Sequence, residues 1–157
     1  MALEPYKKDL RITNETKNLS VVRQVVGEVL DRTPFGKDDK AKIILAVDEA
    51  VANVVEHAYG NDRGEIELGF ILDPERLEIT IRDNGKKFQP EVTSTPDIHE
   101  HIKKGLKGGL GMFLMRKIMD EVRYSLDSTY VNELVMVKLC PDAVEGSPAP
   151  RKNEGAA

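Results

Sequence analysis

Apolar residues at Leu19, Val22, Val26, Val29 and Leu30 recur at intervals of three, four and one, the spacing of one buried helical face. That spacing predicts a helix over Thr16–Asp31, broken by Thr33-Pro34-Phe35-Gly36. A second helix is predicted from about Asp38 to Tyr59. Its segment Ile43–Ala58 is nearly all apolar, interrupted by charge only at Asp48, Glu49 and Glu56, and Gly60 follows as a residue suited to leave a helix. Lys8–Thr13 reads as a short strand. Beyond the turn Asn61-Asp62-Arg63-Gly64, Glu65–Leu72 and Arg76–Asp83 read as a hairpin around Asp73-Pro74-Glu75. In its second strand Leu77, Ile79 and Ile81 alternate with Glu78, Thr80 and Arg82. Gly108-Gly109-Leu110-Gly111-Met112-Phe113-Leu114 opens an amphipathic helix running to about Asp120. Val122, Tyr124 and Leu126 alternate as one strand, and Val135, Val137 and Leu139 as another. This order predicts an α+β fold: a two-layer sandwich with helices on one face of a mixed, mostly antiparallel sheet.

Composition adds bounds rather than chemistry. At 157 residues, 40% hydrophobic and 32% charged, the chain is large enough for one domain with its own core. We expect that domain over residues 1–140. Residues 141–157, rich in Pro, Gly and Ala, are expected to be a disordered tail. A net charge of −4 gives no general attraction to nucleic acid or membrane. Cys140 is the only cysteine, which precludes an intrachain disulfide, suits a reducing compartment, and reads as structural. No apolar run nears the roughly 20 residues of a membrane span, and Met1–Lys8 lacks a signal-peptide apolar region, so a cytoplasmic location is expected.

Three polar features stand out against this background. Glu49, Asn53 and His57 are four residues apart and share one helical face. They are either the solvated side of an amphipathic helix or a site, since burying such groups unsatisfied costs about 1–3 kcal/mol each. Asp83 continues the inward parity of residues 77, 79 and 81, so it points to the helix-covered face unless it merely caps a turn. The stretch from Asn84 to Gly108 has no strong periodicity, a length more typical of a functional lid than of a connection. It is locally basic, with Lys86, Lys87, Lys103, Lys104 and Lys107. The glycines that end it allow backbone amides to approach an anion at a helix start. Each signal alone is weak, but together they converge on one face.

In these motifs the chain resembles the GHKL ATPases of the Bergerat fold, and within them the bacterial anti-sigma-factor serine kinases of the RsbW/SpoIIAB type. Glu49-Ala-Val-Ala-Asn53 with His57-Ala58-Tyr59 is similar to the N box. Asp83-Asn84-Gly85 is similar to the first glycine box and Gly109-Leu110-Gly111 to the second, with Met119-Asp120-Glu121-Val122 following as in that branch. The resemblance spans roughly Leu10–Leu139. It implies binding of ATP and Mg²⁺, with Asn53 holding the Mg²⁺ and Asp83 accepting from the adenine amino group. It also implies that Gly85 lets the chain pass the base, and that Gly108, Gly109, Leu110, Gly111 and Met112 embrace the phosphates. Glu49 would be the catalytic base, and His57 would either line the pocket or pack.

Two departures stand out. Lys87 occupies the usual second glycine of the first glycine box. Asn132-Glu133 stands where relatives often carry Gly-Thr, which implies a lost nucleotide contact. The implied function is a partner-switching protein serine/threonine kinase. It sequesters a sigma factor or similar effector and phosphorylates a small anti-anti-sigma antagonist of the STAS type, as a homodimer formed through the sheet, with no direct nucleic acid or membrane partner. The alternative is a non-catalytic module that holds ATP and acts by sequestration; Glu49 favours the kinase. A third option, an ATPase or histidine-kinase-like domain detached from its usual neighbours, is disfavoured because neither a dimerisation helix with an acceptor histidine nor a transducer domain is recognisable.

Overall fold

Five strands and three helices appear in a computed structural model of the chain, which describes residues 4–87, 110–125 and 129–141. In chain order they are β1 (Tyr6–Thr13), α1 (Leu19–Leu30), α2 (Lys37–His57), β2 (Glu65–Leu72), β3 (Arg76–Asp83), α3 (Leu110–Ile118), β4 (Glu121–Tyr124) and β5 (Asn132–Leu139). A 3₁₀ turn at Thr16–Asn18 precedes α1, so the helical pattern beginning at Thr16 starts in the tighter form. The expected lid lies outside the described residues beyond Lys87, as do Gly108, Gly109 and the tail after Pro141.

The sheet runs in the order β1-β2-β3-β5-β4. All four pairings among the described strands are antiparallel. No parallel pairing of the expected mixed sheet appears, because β5 lies between β3 and the similarly directed β4. Alternation then does the sorting. Ile66, Leu68 and Phe70 of β2, Leu77, Ile79 and Ile81 of β3, and Leu134 and Met136 of β5 are buried in one core. Val22, Val26, Val29 and Leu30 of α1, Ile43, Ala46, Val47, Ala50 and Val51 of α2, and Met112 and Met115 of α3 fill it from the other side. Burial of each large aliphatic side chain stabilises the fold by about 1.5–3 kcal/mol. The opposite sheet face is mixed: Arg82 lies between Glu67 and Glu133 and Arg11 pairs with Glu67, while Val135 and Val137 of β5 are buried on that side.

The end of α2 is tied to the segment that leaves β3. Gly60 takes a φ of +60°, the left-handed conformation that turns the chain away from a helix at little cost for glycine. The Ala58 carbonyl accepts the Lys86 N–H at 2.5 Å. The Tyr59 hydroxyl accepts from the Asn84 N–H at 3.0 Å and donates to the Glu65 carbonyl at 2.7 Å. Glycine is required at position 85 because a Cβ there would stand 2.3 Å from the Ala58 carbonyl oxygen. Since that obstacle is backbone, Gly85→Ala is expected to destabilise by about 1–3 kcal/mol. Its thermal midpoint should fall by about 2–4 °C per kcal/mol, and an unchanged midpoint would show that α2 and residue 85 are not held in this contact.

At the far end of the sheet, Cys140 packs against the core. Burial pushes its thiol pKa up, consistent with a structural role.

Candidate functional site

Asp83 is the last residue of β3 and 3% exposed. The period-two alternation that buries Ile79 and Ile81 carries it to the same helix-covered side. A carboxylate there needs donors, and it has them: the Gly85 N–H and the Asn132 side-chain amide both donate to Oδ1, each at 2.9 Å. Among the described residues nothing donates to Oδ2. That oxygen is left for a ligand, because an ionised carboxylate has about four acceptor positions.

Asp83 opens on a cavity of about 490 Å³, within the range of small-molecule sites. Its apolar wall is Ala50, Val54, Ala58, Ile81 and Leu134, and its polar lining is Asn53, His57, Asp83, Lys86, Lys87, Tyr124 and Asn132. An apolar wall with one recessed carboxylate suits a heterocycle bearing an amino group. The two lysines at the mouth are exposed and suit an anionic extension of the same ligand. Tyr124 belongs to this wall. Burial first, and then the negative charge of Asp83, push its phenol pKa well above the usual value, so it stays neutral near pH 7. Its hydroxyl meets the Met112 sulfur at 3.9 Å.

The helical stripe divides by depth. Glu49 and Asn53 are half-buried, whereas the His57 side chain is exposed, lines the cavity and lies 3.7 Å from Glu56. His57 is therefore not a packed core residue. Above Glu49 and Asn53 lies the first turn of α3, which packs on α2. A Cβ built on Gly111 would lie 3.4 Å from Glu49 Oε1 and 3.7 Å from the Asn53 amide. The absent side chain keeps that space clear, so Glu49, Asn53 and a backbone helix start meet beside the cavity.

Of the predicted residues, Asn53, His57 and Asp83 line the cavity, while Glu49 and Gly111 adjoin Asn53. Gly85 sits against α2, Met112 is buried behind Tyr124, and Leu110 begins α3. Sequence reasoning missed the apolar wall and Asn132, which it treated only as the loss of a contact. Asn132 is 7% exposed and donates to both Asp83 and the Lys86 carbonyl. Parity could have found it, since Asn132 lies directly across from Asp83 in the β3–β5 register.

The donor set accommodates Mg²⁺ only as part of a nucleotide complex. Among the described residues no three His, Cys, Asp or Glu side chains converge on a metal position. Asn53 offers one neutral amide beside the cavity, so a Mg²⁺ held there would draw most of its shell from phosphates and water.

Residues 12–138 match the family model described as the histidine kinase-like ATPase domain. Serine-protein kinase RsbW of Bacillus cereus (strain AH187) is 32% identical over 130 residues, covering 80% of this chain and 81% of the relative. The RsbW serine-protein kinase of Bacillus mycoides (strain KBAB4) is 31% identical over the same coverage. In structure, the chain superposes on the crystal structure of RsbU and RsbW domains from a Mycobacterium tuberculosis protein with a TM-score of 0.57 and 20% identity. That match covers 84% of this chain and 32% of the longer one, and it bears on the fold alone. With the recessed Asp83 and the Glu49–Asn53–Gly111 junction in place, these matches agree: the chain belongs to the histidine kinase-like (GHKL) ATPase family, in its RsbW-type serine-kinase branch.

Proposed function

We propose that this protein is an ATP-dependent protein serine/threonine kinase and anti-sigma regulatory factor. On this reading it holds a sigma factor or similar effector and phosphorylates a small STAS-type antagonist. It works in the cytoplasm as a homodimer formed through the sheet. The ATP-binding domain takes up the chain to about residue 140. The observation that carries this reading is the meeting of Glu49, Asn53 and Gly111 in the first turn of α3 beside a cavity lined by Asp83.

Each residue takes a role that suits its position. Asp83 Oδ2 accepts from the exocyclic amino group of adenine while the apolar wall encloses the ring. Asn53 would hold a Mg²⁺, which when bound would offset the charge of the phosphates. Gly111 and the amides at the start of α3 face the phosphates, where the helix N-terminus favours an anion. His57, Lys86 and Lys87 stand at the cavity edge. Glu49 accepts the proton of the acceptor hydroxyl as its oxygen bonds to the γ-phosphorus and the bond to the ADP oxygen breaks. A hydroxyl holds its proton far above neutral pH, so a carboxylate base serves a serine or threonine acceptor where a histidine would need it less. The phosphate then adds about −1.5 to −2 charge to the antagonist and weakens the contact that held it.

The sequestration-only alternative gives Glu49 no work, which is why we prefer the kinase. The test is incubation with γ-labelled ATP and the small partners recovered by pull-down from the native host. Acid-stable label on serine or threonine is expected. Acid-labile, base-stable label would indicate histidine, and label on no partner would favour the non-catalytic module.

A further inference from the structure

Asn132 is the one buried polar side chain at the site that the reading above leaves without a task. It is placed by β5, directly opposite Asp83 in the β3–β5 register. Its side-chain nitrogen donates to Asp83 Oδ1 at 2.9 Å and to the Lys86 carbonyl at 2.9 Å. Both partners are pure acceptors, so the NH₂ end must face them, and its two protons are used within the protein. Asn132 therefore has no amide proton to give a ligand, although it lines the cavity. What it controls is Asp83. With the Gly85 N–H also on Oδ1, that oxygen is pinned by two donors, which restrains the carboxylate and leaves Oδ2 as the oxygen without a donor among the described residues. The neighbouring residue reinforces this hold, since the Val131 N–H donates to the Asn84 side chain at 2.8 Å.

We propose that Asn132 is a positioning residue for base recognition: it acts on the nucleotide only through Asp83, and it sets the preference for a base with an exocyclic amino group. The inference rests on the nucleotide-binding reading of the cavity and extends it. Without Asn132, one of two donors on Oδ1 is lost and the carboxylate is held by the Gly85 N–H alone, with more freedom to rotate. The contact with the amino group then weakens, while contacts with the ring and the phosphates remain. Control of base selection then lies in the intramolecular hydrogen bond from Asn132 to Asp83.

The experiment compares two probes on the full-length protein: ATP·Mg²⁺ and purine riboside triphosphate·Mg²⁺, in which hydrogen replaces the amino group. Calorimetry gives both affinities for wild type, Asn132→Ala and the nearly isosteric Asn132→Leu, which keeps the buried volume if the alanine variant folds poorly. Wild type is expected to prefer ATP by about tenfold or more, which corresponds to about 1.4 kcal/mol. In the variants the preference is expected to collapse to within about threefold, mostly through weaker ATP binding, with affinity for the deaminated probe little changed. A purely structural role would lower both affinities together and leave their ratio intact. Variants that keep the wild-type ratio, whatever their absolute affinity, would overturn the proposal. If wild type itself shows no preference between the probes, the assignment of Asp83 to the base fails, and this proposal fails with it.

Discussion

Glu49→Ala is expected to bind ATP·Mg²⁺ and to lose phosphoryl transfer by about 10²- to 10⁴-fold, the usual contribution of a positioned general base. The separation is expected because Glu49 does not line the cavity that would hold the nucleotide, yet its carboxylate lies beside Gly111 and one helical turn from Asn53. Removing it should take away a proton acceptor and leave the base slot and the metal-facing amide in place. Asn53→Ala is expected to behave in the opposite way, losing the Mg²⁺-dependent part of nucleotide binding. Titration and single-turnover transfer on the same samples distinguish the two. Transfer at the wild-type rate by Glu49→Ala would show that the acceptor proton leaves by another route.

Asp83→Asn is expected to lower ATP affinity by about 10- to 150-fold without unfolding the chain, the loss of a charge-assisted hydrogen bond worth about 1.5–3 kcal/mol. The substitution is nearly isosteric, and the environment dictates which way the new amide turns. Asn132 and the Gly85 N–H both donate to Oδ1, so an asparagine keeps its oxygen there and presents its NH₂ to the ligand. A donor then faces the adenine amino group, itself a donor. Wild-type-like calorimetric binding, with circular dichroism unchanged, would remove Asp83 from base recognition.

Most of the fold was readable because its signals are periodic and local. The alternation of Leu77, Ile79 and Ile81 located β3 and, by extension, the direction of Asp83; both hairpin strands fell where the pattern placed them. The four-residue spacing of Glu49, Asn53 and His57 gave their common face. It did not give their depth, and the structure separates the half-buried pair from an exposed histidine. Depth depends on what packs above a helix. Here that is α3, which lies more than 50 residues further along the chain than Asn53, so no local pattern encodes it.

The amino-acid sequence alone was enough to give the α+β class and the family the chain resembles, and to nominate residues for the chemistry, because each of these rests on residue type and short-range spacing. Tertiary structure decided the rest. It made the sheet antiparallel throughout the described strands by placing β5 between β3 and β4. It made position 85 a glycine for the sake of the Ala58 carbonyl. It also turned Asn132 from an apparent loss into the residue that holds Asp83. Each of these is a contact between segments distant in the chain. Such contacts are selected by the shared burial of the core, and no window of sequence contains both partners.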